Sequence, residues 1–89
     1  MRIDKYLQVS QLVKRRVLAQ RLCDAGRVHV NDRRAKPSTP VAVGDILEVN
    51  LGARLLRVRI ARLPTSAREA ARASAFEMLD QEQRDRWSS

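Results

Sequence analysis

Apolar residues recur at helical intervals in the first part of the chain and alternate in the second. From Lys14 to Gly26, Leu18, Leu22 and Ala25 fall at i, i+4 and i+7, with Ala19 at the edge of the same stripe. That spacing predicts an amphipathic helix, and Gly26 stands where helices commonly end in a left-handed residue. A shorter helix precedes it, with Ile3, Tyr6 and Leu7 on one side and Arg2 and Lys5 on the other. Asp4 falls in its first turn, where a negative charge suits the helix dipole. The pattern breaks from Ser10 to Val13, which predicts a turn between the two helices.

Beyond Gly26 the period changes. Val28-His29-Val30 alternates, Asn31-Asp32 supplies a turn whose residues tolerate positive φ, and Arg33-Arg34-Ala35-Lys36 returns as a short, charged edge strand. Lys36 to Pro40 forms a loop with two prolines, and Gly44-Asp45 a second turn after Val41 and Val43. Ile46 to Val49 reads as a strand, and Leu51 to Arg54 as a hairpin connection. The next strand alternates most clearly: Leu56, Val58 and Ile60 face a core, while Arg57 and Arg59 make a cationic, solvated face. After Pro64, Ser66 and Glu69 fit a capping box for a last helix rich in Ala, Arg and Glu, docked through Phe76 and Leu79. Gln81 onward is polar and expected to fray, with Trp87 the residue whose exposure needs explaining. The elements add up to an α+β chain with a C-terminal helix, divided at 1–63 and 64–89.

With 89 residues, the chain has room for one small core, and Tyr6, Phe76 and Trp87 are its only aromatics. The net charge of +8 is unevenly spread. Residues 1–64 hold 14 Lys and Arg against 5 Asp and Glu, whereas residues 65–89 hold 4 against 5. A basic surface therefore belongs to the first two-thirds, as in a nucleic-acid-binding face. Its sharpest feature is Lys14-Arg15-Arg16, at the start of the second predicted helix. Cations there oppose the macrodipole, which costs a few tenths of a kcal/mol or more each. The arrangement makes sense if an anion docks, because a helix N-terminus receives phosphate and Lys and Arg extend that reach.

Other chemistry is thin. Cys23 is single, so no intrachain disulfide can form, and beside Leu22 it reads as a small buried hydrophobe. His29 is the only histidine and has no Cys or Asp set at ligand spacing, so no metal or other cofactor is expected. No carboxylate pair, nucleophile elbow or glycine-rich phosphate loop appears, which argues against catalysis. No apolar run of signal-peptide or membrane-spanning length is present, so the expectation is a cytoplasmic chain that avoids membranes, most simply a monomer.

Several blocks follow one another in a familiar order: Arg2-Ile3-Asp4-Lys5-Tyr6-Leu7, Leu12-Val13-Lys14-Arg15-Arg16, Gly26-Arg27-Val28-His29-Val30-Asn31, then Lys36-Pro37 and Val43-Gly44-Asp45. Together they resemble the S-four RNA-binding domain, named after the fourth small-subunit ribosomal protein, over roughly Met1 to Val49. Because the chain holds little else, it is most similar to the stand-alone RqcP family of bacterial ribosome quality control. The resemblance implies two helices packed on a small bent antiparallel sheet, with RNA held along the helix pair. It implies as partners the rRNA of an obstructed large ribosomal subunit, peptidyl-tRNA held in the P site, and a factor that directs C-terminal tailing. It further implies that Arg2 and Arg16 are principal RNA contacts, with Lys5, Lys14, Arg15 and Lys36 supporting them on phosphates. Asn31-Asp32 departs from the usual Asn-Gly, Gln11 stands where a base is common, and the chain from Ser66 matches only loosely. Two alternatives stand beside this one. The first is a heat-shock-type S-four protein that recycles large subunits with nascent chains, although its longer basic extension is missing from this near-neutral tail. The second is an RNA-targeting subunit of an RNA-modifying enzyme.

Overall fold

The first helix, α1 (Ile3–Val9), begins without a side-chain cap. Its leading N–H groups are satisfied from a distant loop instead. The Ile3 amide donates to the Thr39 carbonyl at 2.8 Å and the Asp4 amide to the Pro37 carbonyl at 3.2 Å. This pins the chain start to the 36–41 loop, next to a bridge between Arg2 and Pro40. Ile3, Tyr6 and Leu7 are fully buried, as their spacing predicts. The computed structural model describes residues 1–72 and 74–83; Trp87 lies outside them.

The second helix, α2 (Arg16–Asp24), is rotated from the expected face. It buries Ala19, Leu22 and Cys23, while Leu18 remains 46% exposed and Ala25 lies on the surface. The physical reason lies in a polar contact between helices. Arg16 and Gln20, one turn apart, both reach Asp4 on α1, and that clip turns the small residues Ala19 and Cys23 inward. The stripe predicted from periodicity holds at Leu22 and Ala19 but takes Leu18 and Ala25 where the helix instead buries Cys23. Gly26 does end the helix region in the left-handed conformation, with φ at 74°.

The sheet has the order β2-β1-β3-β4-β5, with every neighbouring pair antiparallel. Its strands are β1 (Val28–Val30), β2 (Arg33–Arg34), β3 (Ile46–Asn50), β4 (Arg54–Ile60) and β5 (Phe76–Gln83). Asn31 and Asp32 both take positive φ, 50° and 67°, as a two-residue hairpin turn of matching twist requires. Asn31 also ties this turn to β3, donating to the Asp45 carboxylate at 3.1 Å and accepting from the Ile46 amide at 3.0 Å. The second strand is shorter than expected, although Ala35 is buried and its amide still donates to the Val28 carbonyl at 2.9 Å before the chain enters the 36–41 loop.

One face of the sheet packs under the helices through Val28, Val30, Leu47, Val49, Val58 and Ile60. Tyr6 crosses that core, its hydroxyl donating to the Ala75 carbonyl at 2.7 Å. The largest departure lies near the C-terminus. Among the described residues there, only α3 (Ala67–Arg72) is helical. The Glu69 amide does donate to Ser66 Oγ at 3.2 Å, but the returning carboxylate bonds Thr65, one residue before the box position. Phe76, Leu79 and Gln81, read as helix and frayed tail, instead belong to β5 along the edge of β4. Phe76 reaches the core from opposite Ile60, and Leu79 sits at a bulge, 37% exposed. The helix propensity of Glu, Met, Leu and Gln yields here to the pairing that an open β4 edge offers.

Candidate nucleic-acid interface

Asp4 is the pivot of the basic surface, although its side chain is fully buried. Its carboxylate accepts from Arg2 Nη2 at 3.2 Å, Gln20 Nε2 at 3.0 Å and the Lys5 amide at 2.7 Å. Arg16 Nε approaches the same group at 3.3 Å. Burial alone would raise the Asp4 pKa. The hydrogen bonds from Gln20, Arg16 and the Lys5 amide, with the Arg16 charge, outweigh it and hold the group below the ordinary 3.8. The carboxylate therefore stays ionised at neutral pH.

Two arginines sharing one carboxylate leave a net positive charge, and neither is hidden. The Arg2 side chain is 50% exposed and that of Arg16 43%. Each guanidinium has five N–H donors in a fixed fork, so Asp4 can orient it from below while other donors face outward. The sequence singles out Arg2 and Arg16 separately, and the structure shows the group that brings them together. The sequence pattern ties Asp4 only to the dipole of its own helix. Its position one turn before Leu7, on the buried side, is the signal that could have singled it out.

The remaining candidates lie at the starts of the two helices. Lys5 follows Asp4 on α1, and Lys14 and Arg15 lead directly into α2. Arg15 is the N-cap residue, makes no side-chain cap, and is followed by no acidic residue in the first turn. Lys36 precedes Pro37, whose carbonyl bonds the Asp4 amide, so the loop carries it to the start of α1. All four are exposed, and among the described residues none pairs with a carboxylate. The backbone thus places Arg2, Lys5 and Lys36 at the start of α1 and Lys14, Arg15 and Arg16 at the start of α2, and Asp4 links the two groups through Arg2 and Arg16.

The arginines of β4 belong elsewhere. The expected cationic face is charge-balanced, because β3 and β5 present acids on both sides of β4. Arg57 stands between Glu48 and Asp80, with Glu48 at 3.9 Å, and Arg59 meets Glu77 at 3.2 Å. Arg34 also has a structural task, donating to the Asp24 carbonyl at 2.7 Å and closing the end of α2. Buried Cys23 has its thiol pushed up to about 11 by burial and the charges of Asp4 and Asp24, so it is held protonated. Among the described residues, no three His, Cys, Asp or Glu side chains form a metal-binding group, and no helix is long and apolar enough to cross a membrane.

Comparison with known proteins identifies the family. The family model described as "S4 domain" matches residues 1–47. A Listeria innocua protein named "RQC P-site tRNA stabilizing factor" is 39% identical over 96% of this chain and 92% of its own length. The protein of that name from Bacillus subtilis is also 39% identical, over 92% of this chain and 95% of its own. The "Heat shock protein 15 homolog" of Haemophilus influenzae is 35% identical over 81% of this chain but 55% of its own length. A solved structure, trimeric Heat Shock Protein 15 of Vibrio cholerae, superposes with a TM-score of 0.78 at 30% identity, covering 88% of this chain and 80% of that one. This chain belongs to the S-four domain family, in the branch of the RQC P-site tRNA stabilizing factors.

Proposed function

We propose that the chain is a non-catalytic RNA-binding factor of ribosome-associated quality control. It docks on obstructed large ribosomal subunits through rRNA and peptidyl-tRNA, and it stabilises the P-site tRNA while a tailing factor directs extension of the stalled nascent chain. It works in the cytoplasm as a monomer. Arg2 and Arg16 make the principal phosphate contacts, with Lys5, Lys14, Arg15 and Lys36 around them.

The observation that carries this reading is the convergence of two half-exposed arginines on one buried carboxylate, with further exposed cations at the starts of α1 and α2. Such a surface holds phosphates at fixed positions. Scarce aromatics leave few platforms for stacking unpaired bases, which favours recognition of a folded RNA by shape and backbone. The heat-shock reading is the weaker alternative, since this chain spans 55% of that relative but 92% of the first-named stabilizing factor. Sedimentation of the purified protein with large subunits, bearing peptidyl-tRNA or empty, tests the assignment. Cosedimentation with the obstructed particle, weakening steeply with salt, is expected. Equal binding to the empty particle would remove the P-site role, and loss of both would remove the ribosomal assignment.

A further inference from the structure

Two aliphatic side chains stand on the surface of α2 with no counterpart in the core. Val17 is 58% exposed and Leu18 46% exposed, directly after the Lys14-Arg15-Arg16 cluster. Arg21 lies one turn further on, three residues from Leu18 and four from Val17, and is itself exposed. The apolar pair therefore sits between cations at both ends of one helix face. Among the described residues, neither Lys14, Arg15 nor Arg21 pairs with a carboxylate.

That framing selects the occupant. A basic rim repels a basic protein surface and attracts a polyanion, while the apolar centre calls for C–H surface between the anions. The minor groove of a base-paired RNA helix offers both. It is wide and shallow and displays ribose edges and 2′-hydroxyls between two rows of phosphates. The DNA minor groove, about 6 Å wide, is too narrow to take the same helix face. We propose that Val17 and Leu18 form an apolar ridge that packs on the ribose-lined minor groove of double-stranded RNA, while Lys14, Arg15 and Arg21 hold its flanking phosphates. The inference rests on the RNA-binding reading above. It adds a salt-independent contact that discriminates RNA from DNA.

The test compares the intact chain with the double variant Val17→Ser/Leu18→Ser, using a short RNA stem-loop and a DNA hairpin of the same sequence across a salt series. Circular dichroism and Tm check the fold, and Val17→Ala/Leu18→Ala replaces the serine variant if its helix is weakened. The double variant is expected to bind the RNA stem-loop about tenfold more weakly, with the slope of log affinity against log salt unchanged. Its weak affinity for DNA stays as in the intact chain. Unchanged RNA affinity overturns the ridge, including the case where only co-purification of a protein partner is lost. Equal losses on RNA and DNA also overturn it, because the pair then serves only to support the cations. Failure of the intact chain to bind RNA refutes the underlying reading, and is distinguishable from either result.

Discussion

Replacing Asp4 removes the one group on which α1, α2 and two site arginines converge. The carboxylate is fully buried and receives side-chain bonds from Arg2, Arg16 and Gln20, with one backbone bond from Lys5. Hydrogen bonds to ionised groups are worth about 1.5–3 kcal/mol. The two arginines are about half exposed, however, so their pairs fall nearer the surface range of about 0–1 kcal/mol. Against these gains stands the cost of burying a carboxylate, several kcal/mol. In Asp4→Ala, Arg2 and Arg16 recover water, so the expected loss is about 2 kcal/mol, which lowers Tm by about 8–16 °C in a domain of this size. Asp4→Asn keeps the volume and one acceptor, and loses about half as much. The pH dependence follows from the lowered pKa. The Asp4 contribution is fully present above the ordinary value of 3.8 and disappears as pH falls through the lower folded-state value. Urea unfolding of the intact chain and Asp4→Asn from pH 7 to pH 2 measures the difference, which is constant near neutrality and closes in acid. A gap that is absent at pH 7, or that widens in acid, refutes the role given to this carboxylate.

Other substitutions separate binding from stability. Arg16→Ala should weaken RNA binding by about tenfold near physiological salt and reduce the salt slope by about 0.7–0.9, read by titration at several ionic strengths. The paired double variant Arg57→Ala/Arg59→Ala should change that affinity by less than about twofold, because each arginine is already matched to an acid on a neighbouring strand and screened from the site. Tyr6→Phe should cost about 1 kcal/mol, a Tm drop of about 4–8 °C, without changing RNA affinity. The loss stays small because the Ala75 carbonyl also accepts from the Ala61 and Arg62 amides.

Strands β1, β3 and β4 were legible because alternation of valine, leucine and isoleucine with polar residues reports directly which face is buried. The positive φ of Gly26, Asn31 and Asp32 was legible for the same local reason. The face of α2 was not, since its rotation is set by Asp4, twelve residues before Arg16 and sixteen before Gln20. Phe76–Gln83 misled because it follows the Ala-rich stretch 67–75 and itself holds helix-favouring Glu, Met, Leu and Gln, whereas the partner that makes it a strand is the open side of β4. In the site, the cations were visible as a run and as family blocks. Their arrangement around a buried carboxylate, and the neutralisation of Arg57 and Arg59 by acids on neighbouring strands, depend on contacts that no local pattern encodes.

Ultraviolet crosslinking of the tagged chain in cells, followed by mass spectrometry of the RNA-bearing peptides, tests the assigned RNA surface most directly. Crosslinks should concentrate on peptides covering Arg2 to Arg21 and Lys36, with rRNA of the large subunit and tRNA recovered together. Crosslinks confined to β4 and β5, or RNA recovered equally with Arg2→Ala/Arg16→Ala, would contradict the assignment of the starts of α1 and α2 as the RNA grip.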